Sequence, residues 1–189
     1  MDDAWAAEVI RLHMRFVVEV IEAGDFCPWA RGARVQNRVE VVVCAPDALA
    51  QCVRAQRARD ALEVVQIVVP ELTLPALRWR EEVAHLERRL RREDGALPFA
   101  FAAFHPEHPG RAESVGGAIG LLRRSPFPML QLVRLSSLDE IRARYGARAD
   151  GLAVAKQAVL LEQWATDVEP KIRQLREEAL GLMGRFVKE

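Results

Sequence analysis

Charged and apolar residues alternate with an α-helical period from the start of the chain. Glu8, Arg11, Arg15, Glu19 and Glu22 step by three and four and form one stripe, while Ile10, Phe16, Val17, Val20 and Ile21 occupy the rest of the surface. This pattern predicts an amphipathic helix over residues 3–23, with Gly24 as its stop. Residues 26–32 break the period and read as an irregular piece or a single helical turn. The β-branched run 39–44 predicts a buried strand, 47–61 a helix opened after Pro46, and 62–69 a second strand closed by Pro70. Within 73–92, Trp79, Val83, Leu86 and Leu90 step by four, three and four, which predicts a helix ended at Asp94-Gly95. Residues 99–104 and 129–135 read as the third and fourth strands. Between them runs a long loop shaped by Pro106, Pro109, Pro126 and Pro128 and by Gly110, Gly116, Gly117 and Gly120. Ser137-Leu138-Asp139-Glu140 has the spacing of a capping box and predicts a short helix ending at Gly146.

Ala165, Val168, Ile172, Leu175, Ala179, Leu182 and Phe186 step strictly by three and four, which is a heptad seam. A straight helix over 150–186 would measure about 54 Å, against about 40 Å for a compact domain of this size. The helix therefore either kinks, with Pro170 as the natural place, and packs on its own domain, or projects and forms a homodimer seam. The order strand–helix–strand–helix–strand–loop–strand, with helices at both ends, predicts an α/β layered domain with a four-stranded mixed sheet, α+β being the alternative. No linker or repeat divides the chain, so residues 1–189 read as one domain whose segment 150–189 is helical.

Composition narrows the partners more than the fold. Lys plus Arg equals Asp plus Glu at 27 each, so the chain lacks the positive surplus that nucleic-acid binding draws on. No window holds 18 uncharged apolar residues and the N-terminus begins with acids, so neither a membrane span nor a secretory signal is expected. Cys27, Cys44 and Cys52 do not form a disulfide framework, and a reducing cytoplasm is the default expectation.

Cys27-Pro28 is the most suggestive pair for chemistry. A proline in the first turn of a helix places the preceding cysteine at the N-cap, where free backbone N–H groups favour thiolate, and Arg31 and Arg34 follow at helical spacing. A lone cysteine is more often buried as a small apolar residue. His105 shares a strand face with Phe99, Phe101 and Ala103 and opens the long loop, a position suited either to a base or to a structural histidine. Pro106 argues against the helix that a zinc-binding histidine pair requires, so no metal is expected at His105-Pro106-Glu107-His108. His13 and His85 fall in charged helices and are expected in solvent. Arg123 and Arg124 offer planar forks for a carboxylate or phosphate, or for a salt bridge that pins the loop. Gly116-Gly117-Ala118-Ile119-Gly120 matches neither phosphate-loop nor dinucleotide spacing, and no nucleophile elbow occurs.

Three motifs coincide with those of a known family. Cys27-Pro28-Trp29-Ala30-Arg31 resembles a CPFAK motif, Phe104-His105-Pro106 an FHP motif, and the run from Arg124-Ser125-Pro126-Phe127-Pro128 to Leu130 an NRSPYPxLHLLRE motif. In order and spacing over roughly residues 10–145, the chain resembles a bacterial family known as domain of unknown function 1415. Trp29 stands in place of phenylalanine, Arg31 of lysine, Arg123 of asparagine and Gln131 of histidine. The resemblance brings no activity, but it implies a shared site that groups Cys27, His105 and Arg124.

These readings lead to a thiol-dependent enzyme for a small anionic substrate, with no cofactor. Cys27 would be the nucleophile and His105 the base, with Arg124, Arg31, Arg34 and Ser125 holding the substrate. The rivals are a non-catalytic module that binds a small anion and an assembly protein that dimerises through the C-terminal seam.

Overall fold

The structure, a computed structural model, describes residues 2–27, 30–110, 120–145 and 164–186. Runs of β-branched and aromatic side chains form its sheet: β1 (Val39–Val43), β2 (Val64–Val68), β3 (Phe99–Phe104) and β4 (Met129–Arg134). The spatial order is β1-β2-β4-β3. β1 and β2 are parallel, joined by a crossover, whereas β4 runs antiparallel to both β2 and β3. The expected four-stranded mixed sheet is therefore present, in an α/β arrangement with helices on both faces.

One face carries α1 (Asp3–Phe16), its continuation as a π-helical turn (Val17–Glu22), and the C-terminal helix α6 (Glu169–Phe186). Val9, Phe16, Val68, Met129 and Leu175 are fully buried between them. The opposite face carries α3 (Leu49–Ala55) and α4 (Ala76–Asp94), which close over Val53, Ile67, Leu90, Phe99 and Leu132. Short α2 (Ala30–Val35) precedes β1, and α5 (Leu135–Tyr145) follows β4 directly. Among the described residues no helix is long and apolar enough to cross a membrane.

Several boundaries differ from the sequence expectation for physical reasons. The first helix widens into a π turn at Val17, which retards its phase and swings Glu22 from the expected solvent stripe into the interior. Gly24 ends it because the Phe26 ring lies over that position: an added Cβ would sit 2.2 Å from the ring. The helix expected over 47–61 stops at Ala55, because Arg134 gathers the chain beyond it. Its guanidinium donates to the carbonyls of Arg59 (2.7 Å) and Leu62 (2.9 Å) and to Asp60 (3.1 Å). The helix after β4 starts at Leu135 rather than at the Ser137 capping box, and Ser137 is buried inside it.

The C-terminal seam belongs to this chain's own core. Val168, Ile172, Leu175, Ala179 and Leu182 all pack in the cluster under α1, so the expected dimer stripe is already covered. The break near Pro170 is a change of helix type: a π turn (Trp164–Val168) gives way directly to α6, at the place where Pro170 has no N–H to give the helical ladder. Residues 146–163, with the expected stop at Gly146, and the side chains of Ala165 and Phe186 lie outside the described residues.

Candidate functional site

Two glutamines interrupt the apolar strands at matching places. In register, Val41 of β1, Gln66 of β2, Gln131 of β4 and Ala102 of β3 form one row across the sheet, on the face toward α1. Gln66 Nε2 donates to Gln131 Oε1 at 3.2 Å. Gln66 Oε1 lies 3.0 Å from Nε2 of His13, which is wholly buried beneath α1. His13 thus does not reach solvent as its charged helix suggested. Burial is the larger influence on it, pushing its pKa from 6.5 down to about 4, while the Gln66 hydrogen bond partly opposes the change.

Gln66, Gln131 and Ala102 of this row form the floor of a hollow of about 260 Å³. Phe16, Val17, Ile21 and Phe26 roof it, Val39, Val64 and Phe104 wall it, and Gln66 and Gln131 supply its polar floor. Cys27 lines it from the turn before α2, where its carbonyl accepts from the Ala30 N–H at 3.1 Å. Pro28 and Trp29 lie outside the described residues. Two guanidinium-bearing residues line the hollow. Arg34 is occupied: it clasps Glu22 through both carboxylate oxygens, at 2.6 and 2.8 Å. The Glu22 side chain is 1% exposed, and this clasp holds its carboxyl below the ordinary carboxylate range despite burial. Arg123 has no carboxylate partner among the described residues, and no acidic side chain among them lines the hollow. Partial burial, and then the charge of Arg80, lower its proton affinity, although a guanidinium stays charged throughout the neutral range.

The residues expected to form one constellation are divided. His105 ends β3, buried, and lines a separate hollow of about 280 Å³ between Pro70–Pro75, the Pro126–Pro128 turn and α6. The two hollows share no described lining residue, so Cys27 and His105 line different hollows. The His105 ring is tied to its own loop: Nδ1 accepts from the Glu107 N–H at 3.0 Å. Desolvation pushes its pKa down, with the Glu107 charge opposing. Arg124 lines neither hollow and donates from Nε to the His108 carbonyl at 3.1 Å. Ser125 is buried and donates to the Phe127 carbonyl at 2.5 Å, which fixes the Ser125-Pro126-Phe127-Pro128 turn. Arg31 is exposed and stands 3.7 Å from Glu22. His108 is buried, its pKa pushed down by desolvation and then by Arg123, Arg80 and Arg124.

Sequence reading therefore marked Cys27, Arg34 and the Arg123-Arg124 pair but missed His13, Gln66 and Gln131. The available signal was a polar residue at the centre of each of two apolar strands, VVQIV and MLQLV. Such a group is costly to bury without a partner, so two of them at matching strand positions imply one polar pair.

A family model matches residues 8–164, and its description is "protein of unknown function". Comparison with curated proteins and with solved structures finds no match.

Proposed function

Because the chain belongs to the protein-of-unknown-function family DUF1415, whose description assigns no activity, we propose from the geometry that it binds a small anionic molecule in the hollow beneath α1. The Cys27 thiol, in the wall, is the group able to react with what is bound. The observation that carries this reading is Arg123. It is a half-buried cation without a carboxylate partner among the described residues, and it lines a largely apolar hollow. Concave, largely apolar pockets with a few convergent polar groups are the usual form of small-molecule sites.

Of a thiol enzyme and a binding module, the described residues favour binding. No described histidine lines the hollow beside Cys27, and the His105 ring is committed to the loop. The test is a thermal-shift screen of small carboxylates, phosphates and sulfonates on the wild type, Cys27→Ser and Arg123→Leu. A ligand at about a hundred times its Kd stabilises the folded state by about 2.7 kcal/mol. The expected result is an anion that raises the Tm of wild type and Cys27→Ser alike and leaves Arg123→Leu unmoved. A response confined to proteins with the thiol would favour covalent chemistry at Cys27. No response to any anion, or an equal response in Arg123→Leu, would overturn the reading.

A further inference from the structure

The hydrogen bonds beneath the hollow have a direction, and that direction selects a ligand. His13 Nδ1 is buried without a partner among the described residues, whereas Nε2 faces Gln66 Oε1. A proton on Nδ1 would leave a buried N–H with no acceptor, which folded proteins rarely tolerate. The proton therefore sits on Nε2 and donates to Gln66 Oε1. Gln66 must then turn its carboxamide nitrogen toward Gln131, and Gln131 receives that bond on its oxygen. With its oxygen engaged by Gln66, Gln131 keeps both of its N–H groups free to present at the floor. The free donors offered to a ligand then include the Gln131 carboxamide and the Arg123 guanidinium, with no described acid among the lining residues.

We infer that the hollow takes the carboxylate of an apolar carboxylic acid, received by the Gln131 N–H groups and the Arg123 guanidinium. We further infer that His13, which does not line the hollow, sets this preference as a positioning residue. The inference rests on the binding reading above and narrows its ligand class. One guanidinium left without an acid among the described residues matches one negative charge, and a planar fork beside an amide suits the two coplanar oxygens of a carboxylate. Phe16, Phe26, Phe104 and Leu122 supply the contact for an apolar body.

The test titrates the full chain with straight-chain acids from butanoate to decanoate and with benzoate and naphthoate. The phosphate monoester, primary amide and amine of each skeleton are run beside it. The expected result is that the tightest ligands are carboxylates, by about tenfold over the matching amides, as charge-assisted hydrogen bonds imply. Gln131→Glu replaces a donor with a charge at the floor and is expected to abolish acid binding while the matching amine gains affinity. A second readout needs no ligand: ¹⁵N NMR of the His13 imidazole places its proton on Nε2. Amides or amines that bind as tightly as the acids would overturn the inference while leaving a binding hollow in place. So would phosphate monoesters that outcompete acids, or a proton found on Nδ1. Failure of every class of ligand would instead remove the binding reading itself, and this inference with it.

Discussion

The wholly buried His13 makes stability depend on pH in a calculable way. In the unfolded chain its imidazole takes a proton as the pH falls through about 6.5, whereas in the fold it stays neutral until about 4. A depressed folded-state pKa means that the stabilisation is complete above the unfolded value and drains away as the pH drops toward the folded one. A gap of about 2.5 pH units, at about 1.4 kcal/mol each, amounts to about 3 kcal/mol. The matched variant is His13→Gln, which keeps a donor for Gln66 but does not titrate. Urea unfolding of both proteins at about pH 7 and about pH 4.5 reads the difference. With slopes of about 1–3 kcal/mol per molar urea, the wild-type midpoint should fall by about 1 M or more beyond the fall in the variant. His105 and His108, also pushed down by burial, drain stability in the same window but do so in both proteins and cancel. Glu8, Glu19 and Glu22 are held below their ordinary 4.5 and titrate at lower pH. Parallel losses in wild type and variant would refute the claim that a neutral imidazole is locked under α1.

Three further outcomes follow from particular contacts. Leu175, fully buried where α6 meets the sheet-facing core, should cost about 2–5 kcal/mol on Leu175→Ala by chemical denaturation, and a cost near zero would contradict the burial of the C-terminal seam. Arg34→Met leaves the buried Glu22 carboxylate with only the distant Arg31, and should cost up to about 3 kcal/mol at neutral pH. Adding Glu22→Gln to that variant should recover part of the loss, and a second loss of equal size would refute the pairing. Burial, and then the proximity of Cys52, push the Cys44 thiol up to about 12, so iodoacetamide at neutral pH should spare Cys44 in the folded protein. Mass spectrometry that finds Cys44 modified as fast as in the denatured chain would refute it.

The sheet and its helices were legible because their cause is local. β-branched runs and three-and-four spacing mark Val39–Val43, Val64–Val68 and Ala76–Asp94 whatever surrounds them. The boundaries that moved were settled from far along the chain. Arg134 captures the carbonyls after α3 from over seventy residues away. Glu22 looked like one more solvent-stripe acid until the π turn and Arg34 drew it inward.

The candidate site divides in the same way. Residue type and neighbours alone marked Cys27 before a helical turn, the arginine pair at 123–124, and the four-stranded mixed architecture. Which of these share a cavity depends on strand order and on the face each side chain takes. That separated Cys27 from His105 and brought together His13, Gln66 and Gln131, residues up to 118 positions apart in sequence number (131 − 13). A hydrogen-bond chain has a direction only when every member's partner is known. The donor character of this floor therefore exists in the folded molecule and in no segment of the sequence taken by itself.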